Sequence, residues 1–142
     1  MRLGLTRRYR FAASHRLHNP QFSEEENRRV YGKCNNPYGH GHNYILEVTV
    51  AGPVDPETGM IANLADLDQF VGQRILEPFD LTNLNEDTAA FRERVPTTEN
   101  LCLEAYERLK DFPQARVSRI RIEETSLNSF EYSVERPRGN HE

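Results

Sequence analysis

The sequence predicts an α+β domain in which a four-stranded antiparallel sheet is covered on one face by a pair of helices. Stretches with alternating apolar residues lie near both ends of the chain, and two stretches with apolar residues at helical spacing lie between them. The predicted order is therefore strand, strand, helix, helix, strand, strand, and two hairpins of this kind bury their apolar faces against the helices. Because no repeat or linker interrupts the pattern, residues 1–142 are interpreted as one domain.

The first two strands are predicted from residues of equal parity, which point to the same side of a strand. In residues 9–15 the inward parity is Tyr9, Phe11, Ala13 and His15. In the second strand it is His40, His42, Tyr44, Leu46, Val48 and Val50, and a turn signal over 52–59 ends that strand. The polar stretch 19–37 between them is interpreted as a long connection without regular structure, a feature that is often functional.

The two helices and the last hairpin follow from spacing and capping signals. The first helix has its apolar stripe at Leu67, Phe70, Val71 and Ile75, and Pro78 marks its end. The second helix begins after Pro96 with Thr97 or Thr98 as N-cap. Residues 80–94 are predicted to be mostly irregular, with a short helical turn over 88–93. Strands over 118–124 and 130–134, joined by 126–129, form the hairpin.

Composition and charge restrict the class of partner. Apolar residues make up 37% of the chain and charged residues 28%, which is typical of a globular protein. The net charge of -4 argues against a nucleic acid or an anionic membrane as partner. No stretch resembles a membrane span or a signal peptide. The two cysteines, Cys34 and Cys102, are interpreted as free thiols, so a cytosolic protein is expected.

The sharpest local signal is the pair His40 and His42, separated by Gly41. Residues two apart on a strand project to the same side, so both imidazoles can reach one ion. His15 ends a neighbouring strand on its inward parity and can supply a third nitrogen. Three protein nitrogens with a fourth position open are typical of catalytic zinc. The alternative, that these are ordinary core histidines, holds for each residue alone but does not explain their shared face.

Three further side chains are candidates for chemistry, and each has a plain structural alternative. Cys34, six residues before His40, is a possible base or nucleophile if Lys33 and a metal lower its pKa; otherwise it is a spectator or a fourth ligand that closes the site. Glu124 ends an apolar strand face, where a carboxylate needs a two-point donor unless it turns to solvent. Asp80 has the position of a turn or cap residue.

Taken together, these residues resemble the 6-pyruvoyl-tetrahydropterin synthase family, which includes 6-carboxy-tetrahydropterin synthases. The resemblance spans nearly the whole chain and is most specific over residues 32–44, Gly-Lys-Cys-Asn-Asn-Pro-Tyr-Gly-His-Gly-His-Asn-Tyr. The stretches 11–17, 55–60 and 96–100 match the family in the same order, ending with Glu124-Thr125.

The resemblance implies a T-fold (tunnelling fold), in which trimers close a barrel and two trimers stack into a homo-hexamer with active sites between subunits. It implies a lyase of tetrahydrobiopterin synthesis that converts 7,8-dihydroneopterin triphosphate to 6-pyruvoyl-tetrahydropterin with loss of triphosphate. Zn²⁺ on His15, His40 and His42 would act as the Lewis acid. By resemblance Cys34 abstracts protons with help from Asp80. The same resemblance makes Glu124 the anchor of the pterin ring, in a pocket lined by Thr97 and Thr98.

Two features bear on which product is formed. Five residues separate Cys34 from His40, as in the pyruvoyl-forming branch, whereas the carboxy-forming branch typically has a shorter gap. Against this, Leu81 follows Asp80 where the family usually has a histidine, and leucine cannot transfer a proton. The alternatives are therefore a 6-carboxy-tetrahydropterin synthase, an enzyme that cleaves the pterin side chain, or a pterin-binding protein with little turnover.

Overall fold

Five strands form one mixed sheet in the computed structural model, which describes residues 3–134. The strands are β1 (Leu3–His15), β2 (His40–Gly52), β3 (Thr82–Asn83), β4 (Arg116–Thr125) and β5 (Asn128–Ser133), in the order β3-β1-β2-β4-β5. The four long strands pair antiparallel, whereas β3 pairs parallel to β1. The predicted α+β class is confirmed. The predicted count of four strands is one too low, because two residues are too short to show an alternating pattern.

The helices lie between the strands along the chain. They are α1 (Glu24–Tyr31), α2 (Leu64–Val71), α3 (Glu77–Phe79), α4 (Leu84–Asp87) and α5 (Thr98–Leu109). A π-helical turn, Gly72–Leu76, joins α2 to α3, and single 3₁₀ turns cover Gly32–Asn35 and Ala89–Phe91. The last of these turns falls inside the short helical turn predicted over 88–93. Within residues 3–134 no helix has the length and apolar character needed to cross a membrane.

The core forms between the inward face of the sheet and the helices α2, α3 and α5. Phe11 of β1 stacks on Tyr44 of β2 with ring centroids 5.0 Å apart, and Phe79 contacts the same ring of Phe11. Leu67 and Leu101, from the two predicted helical stripes, are both about 1% exposed. The side chains predicted to face inward on β1 and β2 therefore do so, and burial of this apolar area stabilises the pairing of the two strands.

The prediction of an unstructured connection over 19–37 is wrong, because this stretch contains α1. The helix is capped by Ser23, whose Oγ accepts a hydrogen bond from the Glu26 N–H at 3.1 Å. The buried residue of this helix is polar, since Asn27 is fully buried. The side-chain oxygen of Asn27 accepts a hydrogen bond from the Asn19 N–H, and its side-chain nitrogen donates one to the Asn19 carbonyl. A helix held by a cap and a buried amide leaves no apolar stripe in the sequence, so periodicity does not reveal it.

The register of β1 and β2 brings the histidines together. His15 is directly opposite His40, and Ala13 is opposite His42. Gly39, just before β2, has a φ of +72°, and a Cβ built on it would lie 3.0 Å from the carbonyl oxygen of His15. The turn that leads into β2 therefore passes directly against the end of β1, and only glycine fits there.

Candidate metal centre

The three predicted histidines meet at one end of the β1–β2 pair. Their ring centroids are 4.7–5.0 Å apart, and the ring planes are close to perpendicular. One nitrogen from each of His15, His40 and His42 lies within 4.8 Å of the other two, so the group can hold a metal ion. A tetrahedral ion with bonds of 2.0–2.1 Å needs its ligand atoms about 3.4 Å apart. Small side-chain rotations would therefore complete the site.

Burial and hydrogen bonding prepare the imidazoles for a metal. His15 Nδ1 lies 2.8 Å from the carbonyl oxygen of Pro96, and since a carbonyl only accepts, Nδ1 carries the proton and Nε2 is left as the ligand. The Nε2 atoms of His15 and His42 are buried without a hydrogen-bond partner among the described residues. Burial lowers the pKa of both histidines, and the neighbouring His40 lowers them further, which favours the neutral, ligating form.

Glu124 reaches the same site through an irregularity at the end of β4. Glu123 pairs with Ser129 and Thr125 pairs with Asn128, so Glu124 is an extra residue between two successive pairs of the β4–β5 ladder. A β-bulge of this kind redirects a side chain. Oε1 of Glu124 lies 3.5 Å from His42 Nε2, and Oε2 of Glu124 accepts a hydrogen bond from the Thr98 hydroxyl. The predicted inward orientation of Glu124 is confirmed, and the bulge was not predicted.

Cys34 lies on the 3₁₀ turn that follows α1, and its thiol is half-buried. Its carbonyl accepts a hydrogen bond from the Leu17 N–H at 2.8 Å, which ties this turn to the chain leaving β1. Burial, and then the charge of Glu124, raise the pKa of the thiol. The expectation that a metal and Lys33 together lower this pKa stays a prediction.

Two of the other predicted site residues have structural contacts of their own. Thr97 is the N-cap of α5, and its hydroxyl accepts a hydrogen bond from the Asn100 N–H at 3.1 Å. Asp80 Oδ1 accepts from the Ala12 N–H at 2.9 Å, and Leu81 N–H donates to the Ala12 carbonyl at 2.6 Å, so both residues lie at the edge of the sheet beside β1. No hydrogen bond or ion pair within residues 3–134 links Asp80 to the histidines or to Cys34. Its catalytic role stays a prediction.

Two further groups at the site, the hydroxyl of Tyr44 and the carbonyl of Pro96, were not predicted from the sequence. Tyr44 is fully buried, and its hydroxyl lies 3.4 Å from His15 Nδ1. A tyrosine rather than a phenylalanine at a core position of β2 was the available signal, since a buried hydroxyl needs a partner. The Pro96 carbonyl left no signal, because every residue has one.

The fold and the site define a class of protein: an α+β chain with three histidines that can hold a metal ion beside a carboxylate and a half-buried thiol. Comparisons with known proteins narrow this class. The family described as 6-pyruvoyl tetrahydropterin synthase matches residues 4–135.

Individual relatives agree with the family match. The 6-pyruvoyl tetrahydrobiopterin synthase of Poecilia reticulata is 48% identical over 132 residues, which cover 92% of this chain and 90% of that protein. The protein of the same name from Homo sapiens is 44% identical over 132 residues, covering 92% and 91%. The structure of Caenorhabditis elegans 6-pyruvoyl tetrahydropterin synthase superposes with a TM-score of 0.90 at 37% identity, covering 95% of this chain and 97% of that one. The chain belongs to the 6-pyruvoyl tetrahydropterin synthase family, and it is an enzyme of the pterin synthase kind.

Proposed function

We propose that this enzyme converts 7,8-dihydroneopterin triphosphate to 6-pyruvoyl-tetrahydropterin with loss of triphosphate, a carbon–oxygen lyase reaction of tetrahydrobiopterin synthesis. The observation that carries the proposal is the convergence of three metal-competent histidines with Glu124 and Cys34, in a chain of this family. The spacing of five residues between Cys34 and His40 supports the pyruvoyl product over the carboxy product.

Zinc is the proposed metal. Three imidazoles suit a borderline ion, and an arrangement that leaves the fourth position open is typical of catalytic zinc. When bound, Zn²⁺ supplies Lewis-acid polarisation of the oxygens on the substrate side chain. The buried Nε2 atoms of His15 and His42 support this assignment, because a ligand is the partner that they lack among the described residues.

The remaining roles follow from what each side chain can do. The carboxylate of Glu124 accepts two N–H donors from the guanidine-like edge of the pterin ring, and the Thr98 hydroxyl holds that carboxylate in place. Cys34 removes a proton from the substrate side chain. Pairing of Glu124 with the ring would offset the negative charge that raises the pKa of Cys34, so substrate binding favours the thiolate. Thr97 contributes to the pocket wall, and Asp80 assists proton transfer.

A closed assembly is part of the proposal. Residues 1–142 form one domain, three copies close a T-fold barrel, and two trimers stack into a hexamer. The sheet supports this, because β5 is the edge strand at one end. At the other end, within residues 3–134, the short edge strand β3 covers only Ala13 and Ser14 of β1. Open edges of this kind favour pairing with another chain unless they are closed. Native mass spectrometry should give six times the 16.5 kDa chain mass; a monomer at micromolar concentration would contradict it.

A cytosolic location is also proposed, and the free thiols Cys34 and Cys102 support it.

The reaction is tested by mass spectrometry of the products that the zinc-loaded protein forms from 7,8-dihydroneopterin triphosphate. The wild type should give the pyruvoyl product, and Cys34→Ala should lower the rate by about 10²–10⁴-fold, the usual contribution of a general base. Leu81→His serves as the matched comparison, because Leu81 is 85% exposed and the change leaves the core intact. A carboxy or cleaved product would overturn the assignment. No product from the wild type, with product from Leu81→His, would indicate a pterin-binding protein instead.

A further inference from the structure

The hydroxyl of Tyr44 lies between the metal centre and the carboxylate of Glu124, and the proposed function gives it no role. Tyr44 is fully buried, so its hydroxyl acts on protein groups rather than on a substrate. It lies 3.4 Å from His15 Nδ1. A hydrogen bond also joins it to the side chain of Thr98, which in turn donates to Glu124. One buried hydroxyl therefore contacts a histidine of the metal centre and the residue that holds Glu124.

The direction of each hydrogen bond follows from the fact that a hydroxyl has one proton to donate. The Thr98 proton goes to Glu124 Oε2, because a carboxylate accepts. In the contact between Thr98 and Tyr44, Tyr44 is therefore the donor. At His15, Tyr44 is left as an acceptor, and Nδ1–H shares its proton between the Tyr44 oxygen and the Pro96 carbonyl. The donors thus all point the same way, from His15 toward Glu124.

Packing holds the ring of Tyr44, and with it the hydroxyl, in one position. The ring stacks on Phe11 with centroids 5.0 Å apart, and the ring of His42 meets it at 5.6 Å between centroids. A buried aromatic ring of this kind carries its hydroxyl on a rigid support. Burial, and then the charge of Glu124, raise the pKa of Tyr44, while the hydrogen bond with Thr98 lowers it in part. The hydroxyl therefore keeps its proton and can donate it.

We propose that Tyr44 is a positioning residue that serves both halves of the site. Its hydroxyl orients His15 for the metal and, through Thr98, holds the carboxylate of Glu124 for the pterin ring. The inference rests on the proposed function, and it names the residue that joins metal binding to ring binding. Groups that hydrogen-bond a metal-binding histidine fix its ring orientation, and successive hydrogen bonds in a buried chain strengthen one another.

The first test is the zinc affinity of the full chain, measured by competition with a chelator. Tyr44→Phe keeps the aromatic ring and removes only the hydroxyl. It should weaken zinc binding by about tenfold, the lower end of the usual effect, because the Pro96 carbonyl still holds His15 Nδ1. Tyr9→Phe is the matched control, since Tyr9 is a buried tyrosine of β1 whose hydroxyl donates to Asp68 at 2.8 Å; its zinc affinity should match the wild type. Equal zinc affinities in the two variants would overturn the proposal.

The second test is the binding of unsubstituted pterin, which has the ring edge but no side chain, to the metal-free protein. Tyr44→Phe and Thr98→Val should each weaken pterin binding by about two- to tenfold, the range for one hydrogen bond. Because Tyr44 acts on the carboxylate through Thr98, the double variant should bind pterin no more weakly than Thr98→Val alone. Thr98→Val should keep the zinc affinity of the wild type. Losses of pterin affinity that add in the double variant, or no loss in Tyr44→Phe, would overturn the link through Thr98.

These two affinities separate the inference from the proposed reaction, because neither measurement requires turnover. Conversion of 7,8-dihydroneopterin triphosphate by the wild type, with unchanged zinc and pterin affinities in Tyr44→Phe, would refute the role of Tyr44 and leave the reaction standing. The expected losses of affinity, in a protein that yields no pyruvoyl product, would refute the reaction and leave the role of Tyr44 standing.

Discussion

The contact between Gly39 and the end of β1 gives a quantitative test of how the metal centre is built. Gly39 has a φ of +72°, and a Cβ at this position would lie 3.0 Å from the carbonyl oxygen of His15. Gly59 has nearly the same φ, +74°, but a Cβ there would meet no atom within 4 Å. The substitutions Gly39→Ala and Gly59→Ala therefore share the backbone cost and differ in the contact.

The expected losses in the free energy of unfolding follow from the left-handed backbone conformation, which both positions share, and from the close contact, which Gly39 alone of the two makes. A left-handed conformation costs a non-glycine residue about 1–2 kcal/mol, so Gly59→Ala should lower the free energy of unfolding by about that amount. Gly39→Ala adds an overpacking cost of about 1–3 kcal/mol, because the His15 carbonyl belongs to a paired strand and cannot rotate away. The same displacement moves His15 relative to His40, so zinc affinity should fall by about 10–100-fold, the usual effect of disturbing groups that orient metal ligands.

The assay is urea denaturation of the metal-free proteins, followed by competition with a zinc chelator. All proteins are measured at one concentration, because association shifts apparent stability. Gly59→Ala should retain the zinc affinity of the wild type, since Gly59 lies in the loop before α2, away from the histidines in sequence. Equal losses of stability in the two variants, with equal zinc affinity, would refute the argument that Gly39 positions the ligands.

Two other predictions concern Cys34 and α1. Glu124→Gln removes one of the two causes that raise the pKa of Cys34, so the pH midpoint of its alkylation by iodoacetamide in metal-free protein should fall. Cys102, whose pKa burial raises to about 12, should stay unlabelled, and an unchanged midpoint for Cys34 would contradict the proximity of Glu124. Asn27→Ala should lower the free energy of unfolding by about 2–4 kcal/mol in urea denaturation, because it empties a fully buried position and the backbone groups of Asn19 and Ser23 lose the hydrogen bonds of its side chain. Arg29→Ala, on the exposed side of α1, should change it by less than about 0.5 kcal/mol; similar losses would refute the role of Asn27.

The parts of the fold with periodic burial could be predicted from the sequence. Alternation predicted β2 and the part of β1 from Tyr9 to His15, although β1 begins at Leu3. It also predicted the inward direction of His15, His40 and His42, because the side-chain period of a strand is two. The stripe from Leu67 to Ile75 defined a helix whose main part is α2. The choice of Thr97 or Thr98 as N-cap likewise located the start of α5 to within one residue, and Thr97 is the cap.

The remaining features depend on contacts that have no period. α1 depends on the Ser23 cap and on buried hydrogen bonds of Asn27, and β3 has two residues. The bulge that turns Glu124 toward His42 is a property of the β4–β5 register, which a single strand does not encode. The catalytic role of Asp80 came from family resemblance alone, and the structure gives it a hydrogen bond to β1. Cys34 was a candidate base from its position before His40, and the resemblance added its role in proton abstraction.

X-ray absorption spectroscopy of the zinc-loaded protein distinguishes a three-histidine site with an open fourth position from a site that is closed by a fourth protein ligand. We expect three nitrogen ligands at about 2.0–2.1 Å, one exchangeable oxygen and no sulfur. Replacing His40 by Ala should remove the stoichiometric zinc. A sulfur ligand at about 2.3 Å would show that Cys34 closes the site, which would contradict both the open position and the role of Cys34 as a base.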